Sequence, residues 1–508
     1  DANTTGTNNV AVGADALDAN TTANDNVAVG KAALGANTTG TENTAVGTIA
    51  LDANTTAISN SAFGYAALSG NTTGAANTGL GRAALFSNTT ADNNTAIGYN
   101  ALLVNTTGAS NVAVGANALD ANTTGSQHTA VGYNSLTACT ASENNTGIGY
   151  QALEDTTTGT GNTAIGSRCL RENTTASNNT GVGLDALKEN TTGGRNTALG
   201  NTALSSNTTA SHNTAIGDRA LASNTTGENT AVGMMALNAN TTGTQNVAVG
   251  LQCLDANTTA SNNTAVGYVA LGANTTGTQN TGLGGLALSQ NTTASNNTAV
   301  GYKCLEANTT GTSNTAVGQA ALDSNTTASN NTAIGREAIQ ANTTGTNNTA
   351  VGAFAGDSNT TASDNTLIGF NCGQALTTNG ASTFVGSNAG QLTTGGVNTF
   401  IGANAGSQTT SGSYNICLGY ASATSSNSST GQCTLGDTNI SNLRCNDTSI
   451  SSLSDERDKT DIIDLPIGLD FINALKPRKF KWATRDGNIK DGKYRAGFIA
   501  QELQALES

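Results

Sequence analysis

The sequence predicts an all-β repeat solenoid, a parallel β-roll of about 25 coils with a 17-residue period, trimeric, followed by a small α+β C-terminal segment. Three observations predict it. The first is a glycine that recurs every 17 residues from Gly13 to Gly217, then, after one dropped residue, at Gly233 and from Gly250 to Gly386, and after a second dropped residue at Gly402 and Gly419. A period this short, kept through 25 copies, marks a repeat architecture rather than a mosaic of globular domains. The second is composition: aromatic residues are 4% of the chain and proline occurs twice in 508 residues, so any core is built from Ala, Val, Ile, Leu, Gly and Thr. The third is an abrupt change at Ser454, beyond which lie both prolines, the single tryptophan and half of the Lys and Arg.

With the motif glycine as position zero, the consensus is Asn at −4, Thr or Val at −3, Ala at −2 and Val, Ile or Leu at −1, as in Asn43-Thr44-Ala45-Val46-Gly47. Ala follows at +3, Leu at +4, Asn at +7, Thr at +8 and +9, and Gly or Ala at +10. Thr-Ala-Val reads as a short strand. Asn-Thr-Thr-Gly reads as turn chemistry, with Asn tolerating a left-handed backbone and Gly supplying positive φ. The paired threonines are accordingly read as turn residues rather than as an ice-binding array. One copy cannot bury its own apolar face, whereas stacked copies can, each strand pairing with its equivalent in the next coil. Strands about 4.8 Å apart predict a stack roughly 120 Å long. A 17-residue coil is thin, so the Leu at +4 is expected to pack against another chain, with a trimer as the closure. Gly and Ala alternate at +10, as at Gly6, Ala23, Gly40 and Ala57, which gives a superperiod of 34 and points to duplication of a two-coil unit.

The formal net charge is −14, all of it carried before Ser454, which excludes the basic footprint of a nucleic-acid-binding surface. No run of 18 apolar residues occurs, so membrane insertion is not expected. No signal peptide is visible, and Asp1 falls in mid-repeat, so the sequence is expected to be a piece of a longer chain. Cys169, Cys253, Cys304 and Cys372 occupy the +3 alanine slot and Cys417 the −2 slot, as small buried hydrophobes. Cys253 and Cys304 lie three coils, roughly 14 Å, apart, too far for a disulfide. No metal or cofactor-binding spacing occurs. His128 and His212 are isolated, placed in polar turns and given no role.

From residue 370 the repeat changes. Asn-Ala-Gly at 388–390 and 404–406 replaces Ala-Leu, and Thr383-Phe384-Val385 and Thr399-Phe400-Ile401 bring in larger groups, read as coils that thicken or cap the stack. The predicted organisation is a repeat shaft over 1–419, a Ser/Thr-rich linker and β stem over 420–453, and a separate unit over 454–508. Within that unit, Leu469 to Leu475 reads as a helix stopped before Pro477, Lys479 to Trp482 as a strand, Asp486-Gly487 and Asp491-Gly492 as turns, and Gly497 to Ala500 as a strand leading into a helix from Gln501 to Leu506.

Ser454-Asp455-Glu456-Arg457-Asp458-Lys459 is the one chemically suggestive motif: a serine and a lysine five apart can form a nucleophile–base pair. Lys459 must lose its proton to serve as base, and its acidic neighbours oppose that, so the residues alone also read as a solvated charged turn. The segment from Leu453 to Lys459, then Gly468-Leu469-Asp470-Phe471-Ile472 with Leu475-Lys476-Pro477, then Gly497-Phe498-Ile499-Ala500-Gln501-Glu502 resemble, in order, the start of the intramolecular chaperone domain of phage endosialidases, tailspikes and tail fibres. The resemblance implies assisted trimer folding and self-cleavage at Leu453–Ser454, with Ser454 matching the nucleophile and Lys459 the base. That domain is usually longer, so more chain is expected after Ser508. Over 1–419 the repeats resemble, in style, the head β-roll of trimeric autotransporter adhesins.

These readings imply a homotrimeric viral (phage) tail fibre or spike for host-cell surface attachment, located in the virion. Its partners would be its own copies and a host receptor, glycan or protein. The alternative is a bacterial trimeric surface adhesin, extracellular or at the cell surface, which would need a membrane-anchoring β-barrel after a coiled coil, and the sequence shows no heptads towards Ser508. Asp and Glu vary in phase from coil to coil and form no convergent pair, so no substrate-directed activity is expected beyond Ser454–Lys459 self-cleavage.

Overall fold

In a computed structural model, which describes residues 2–442, 444, 469–481 and 494–507, the segment before each motif glycine is a three-residue strand. These strands, β1 (Val10–Val12) to β26 (Cys433–Leu435), form one 26-stranded parallel sheet among the described residues. Each pairs with the equivalent strand one repeat away, in register: Thr163 faces Thr180, Ala164 faces Gly181 and Ile165 faces Val182. The solenoid of about 25 coils and the 17-residue period are as the sequence predicts. Both 16-residue steps keep register, with Thr214 opposite Thr230 and Phe384 opposite Phe400. Beyond Gly419, β26 pairs with Ile416–Leu418, and Thr410 N–H donates to Asn427 O, so residues 420–435 stack as one more coil.

Side chains alternate across a strand. The middle residue, at −2, points inward and the residues at −3 and −1 point outward. Ala28, Ala33 and Leu34, at −2, +3 and +4 of one coil, are all 0% exposed. The expectation that the +4 leucine packs against another chain is therefore overturned, because it fills its own coil. The backbone is the reason. Positions +2 and +4 adopt left-handed φ (Ala32 56°, Leu34 50°), which folds the chain tightly back and turns the leucine inward.

The reading of Asn-Thr-Thr-Gly as turn chemistry also needs correction. Neither the +7 asparagines nor the +10 glycines have positive φ; that conformation falls on the motif glycine and on +2, +4 and +12. The asparagines at −4 and +7 are instead buried, forming two ladders along the stack. Asn43 accepts at Oδ1 from Asn60 N–H (3.0 Å) and donates its amide to Ala57 O (2.9 Å). Asn54 donates to Asn37 Oδ1 (2.9 Å) and to the same Ala57 O (3.2 Å). A coil that keeps both asparagines is thus closed on one +10 carbonyl by two amides and tied to its neighbours by their oxygens, which satisfies groups that are costly to bury unpaired. The +8 threonine spends its hydroxyl on the next coil, Thr38 Oγ1 donating to Thr55 O (3.0 Å).

Phe384 and Phe400 do not thicken the stack. They sit at −2, are 0% exposed, and stack at 4.9 Å with 6° between planes. Space comes from glycine at +4: a Cβ on Gly390 would lie 2.6 Å from the Phe384 ring. Bulk has moved from +4 to −2, with interior volume kept.

The described chain divides into two units, Asp1–Ile440 and Ser441–Ser508. In the second, α1 (Leu469–Ala474) ends before Pro477, as expected. An antiparallel pair follows, β27 (Arg478–Lys481) with β28 (Tyr494–Gly497), Arg478 opposite Gly497. The second strand lies earlier than predicted and ends at Gly497, and α2 (Ala500–Glu507) follows. The turns expected at 486–487 and 491–492, and Trp482, lie outside the described residues.

Candidate functional site

The Ser454–Lys459 pair and the Leu453–Ser454 junction lie outside the described residues. What is described of the unit downstream is a hairpin pinned to a helix. Arg478 Nε donates to Glu502 Oε2 at 2.9 Å, joining β27 to the first turn of α2. That hydrogen bond, ahead of the guanidinium's charge, holds the Glu502 carboxyl below the usual carboxylate range. Lys479 and Lys481, on one face of β27, reach over the Tyr494 ring at 4.8 and 4.5 Å. Leu475, Phe498, Ile499, Leu503 and Leu506 line an apolar groove beside α2.

The family described as "Chaperone of endosialidase" matches residues 454–507. This stretch is similar to that chaperone. No curated protein matches the chain. The match takes in α1, the hairpin and α2, so the described parts of the chaperone-like unit are two helices and the strand pair between them.

Along the solenoid the described thiols are chemically quiet. Burial pushes the Cys169, Cys253, Cys304 and Cys372 thiols up to about 12, so they carry essentially no thiolate at neutral pH. Among the described residues no group of three or more His, Cys, Asp or Glu is placed to hold a metal ion, and no helix is long and apolar enough to cross a membrane.

Two features escaped the sequence reading. The first is a fault in the asparagine ladders. The polar turn expected for His128 is a buried ladder position: it is 1% exposed and stands at −4, while Cys139 stands at +7 of the same coil. His128 copies the missing asparagine: its Nε2 lies 2.8 Å from Ser142 O and its Nδ1 accepts from Asn145 N–H at 3.3 Å. That arrangement fixes the neutral tautomer with the proton on Nε2. Cys139 copies it less well: Sγ contacts Ser142 Oγ at 2.9 Å, and Asn122 Oδ1, one coil back, is left buried without a hydrogen-bond partner. Counting offsets from the glycine exposes both residues.

A pH dependence follows. Desolvation by burial lowers the His128 pKa from its ordinary 6.5, against the opposing pull of Ser142, Asn145 and Glu143. The folded state keeps the ring neutral while the unfolded chain takes up a proton near 6.5, so this contribution is whole above that pH and is lost as pH falls below it. Between pH 7 and pH 5 the wild type is expected to lose stability by up to about 1.4 kcal/mol per pH unit below 6.5, relative to His128→Asn, in thermal melts of the two proteins. Parallel pH profiles for both would refute the assignment.

The second feature is an apolar belt. Between Val10 and Leu435, all the exposed large hydrophobic side chains except Ile58, Phe86, Leu392, Val397 and Tyr414 fall at −3, −1 or +1. Of the nine tyrosines, all but Tyr414 and Tyr494 stand at +1. Some stack along the axis: Tyr133 and Tyr150 lie 5.7 Å apart, and the Arg82 guanidinium sits between Tyr65 and Tyr99 at 5.7 and 5.5 Å.

Proposed function

We propose that the chain is a homotrimeric viral tail-fibre or spike protein for host-cell surface attachment, carried in the virion, and that residues 454–508 aid trimerisation and then cut themselves off at Leu453–Ser454. The observation that carries this reading is the chaperone-of-endosialidase match beginning at Ser454, after a long parallel β-solenoid. The proposed organisation is a shaft over 1–419, a linker and stem over 420–453 whose first part, 420–435, stacks on the shaft as one more coil, and the chaperone-like unit from 454. A stack of this length builds every coil on its neighbour, so a downstream unit that brings the chains together before the stack zips up has a physical task. The receptor class, glycan or protein, stays open.

In the proposed self-cleavage, neutral Lys459 takes the proton of the Ser454 hydroxyl, whose oxygen attacks the Leu453 carbonyl carbon. The peptide C–N bond breaks as the serine nitrogen leaves protonated, and water then splits the resulting ester, leaving a Leu453 carboxylate. The wild-type protein is expected to run on a denaturing gel as a fragment ending at Leu453 plus a small C-terminal piece. Ser454→Ala is expected to stay full length. Equal full-length bands for both would end the autoprotease reading, and a native mass equal to one chain would end the trimer reading.

A further inference from the structure

The outward ranks of the sheet are unlike the rest of the surface. At −1, from Val12 to Leu435, every coil carries Val, Ile, Leu or Phe; no polar or charged residue occurs there. At −3, from Val10 to Cys433, only Thr, Val, Ser, Ile and Cys occur. Both ranks point away from the coil interior, and many members are substantially exposed, such as Ile165 at 40%, Leu283 at 46% and Ile401 at 43%. The outward +12 rank, by contrast, accepts Asp25, Glu42, Gln127, Arg195 and His212. A solvated strand face varies with the same freedom, and this one does not. The +1 rank at its edge carries the tyrosines and tolerates Lys31, Arg82, Asp218 and Arg336. An apolar centre with an aromatic and partly charged rim is the anatomy of a protein–protein interface.

We infer that this strand face, ranks −3 and −1 with +1 at the rim, is where copies of this chain pack on one another, parallel and in register. The inference rests on the trimer reading above and identifies the surface that makes it. The occupant is a second copy for two reasons. The face presents one apolar rank per coil, about every 4.8 Å along the stack, and a partner covering it must repeat at the same pitch over the same length. The area is also sufficient. Half-exposed aliphatic and aromatic side chains each leave on the order of 70–100 Å² in water, roughly 2,000 Å² in all, against about 800 Å² per partner in a standard interface. Parallel packing brings like coils together, so the 16-residue steps at Gly233 and Gly402 meet their own copies.

The test is site-directed cross-linking of the full chain in a Cys433→Ser, Cys445→Ser background. Cys433 must go because it is exposed at −3 on this face. Ile334, at −1 and 40% exposed, and Thr344, at +9 and exposed, belong to the same coil. With a short bis-maleimide, Ile334→Cys is expected to give covalent dimers and Thr344→Cys only monomers. Native mass measured in parallel separates the two ideas. Cross-linking through Thr344→Cys and not Ile334→Cys, in a protein of trimeric mass, overturns this face but leaves the trimer. A mass of one chain with no cross-link from either position overturns both. As an independent check, Ile165→Asp with Ile334→Asp is expected to reduce the native mass to that of one chain with the β-sheet circular dichroism unchanged, since neither side chain belongs to the coil interior. An unchanged oligomer carrying both aspartates overturns the inference.

Discussion

Gly200→Ala is expected to open the stack at its own coil, at a cost of about 3 kcal/mol or more. Gly200 has φ 137°, a region closed to residues with a Cβ and outside the left-handed well that Asn or Asp enters. A second obstacle adds to the first. A Cβ there would lie 2.3 Å from Gly217 O and 2.5 Å from Gly217 C, both backbone atoms that cannot rotate away. To relieve the clash the two coils must separate, which strains the bond from Gly217 N–H to Leu199 O (2.7 Å) and the pairing of Thr197–Leu199 with Thr214–Ile216. Because each coil touches only its neighbours, the damage should be local. Hydrogen exchange is expected to lose protection in those two strands while distant coils keep theirs. Thr192→Ala, at an exposed +9 site, serves as control and should stay within about 0.5 kcal/mol of wild type. If Gly200→Ala exchanges like the control, the glycine column is not a structural requirement.

The second large effect is expected in the ladders. Asn179 accepts from Asn196 N–H (2.9 Å) and donates to Gly193 O (2.9 Å), and all three groups are buried or nearly so. Asn179→Ala orphans the Asn196 N–H; Gly193 O keeps a donor in Asn190 (3.0 Å). A cost of about 2–3 kcal/mol follows from one buried unpaired donor and the lost bonds. Asn179→Asp should be worse at pH 7, because it keeps the acceptor but buries a charge and turns a lone pair towards a carbonyl. Its folded-state pKa would be raised by burial, so the variant should regain stability as pH falls from 7 towards 4, where a protonated carboxyl can donate to Gly193 O as the amide did. Urea unfolding midpoints across pH check this. An aspartate variant as stable as wild type at pH 7 would mean that the ladder amides are solvated.

The architecture was legible in the sequence because it rests on phase, and phase survives substitution. The glycine period, the Thr-Ala-Val strands and the compositional break at Ser454 needed no three-dimensional information. Direction was the part that did not show. Asparagine beside Thr-Thr-Gly has the same letters in a solvated turn as in a buried ladder, and only closure of the coil decides between them. The Leu34 position looked superfluous to a coil so thin. Its inward turn depends on two left-handed residues, Ala32 and Leu34 itself, that no propensity rule assigns to alanine and leucine. The exchange of Leu for Gly at +4 with Ala for Phe at −2 was visible as two separate changes but not as one compensated pair, since the partners are adjacent only in the folded coil. The proposed self-cleavage pair, Ser454 and Lys459, could be read only as a motif, by resemblance, and it lies outside the described residues.

The ladders also give the stack a direction. In both asparagine columns the later coil donates and the earlier coil accepts, as in Asn60 N–H to Asn43 Oδ1 and Asn54 Nδ2 to Asn37 Oδ1. Dipoles aligned head to tail accumulate partial charge at the two ends of a column, as they do in a long helix. The threonine hydroxyls at +8 run the opposite way, from the earlier coil to the later, as in Thr38 to Thr55. The hydroxyl column therefore opposes the amide columns and reduces the partial charge that they leave at each end of the stack. A repeat that partly cancels its own polarity can be extended with little electrostatic penalty.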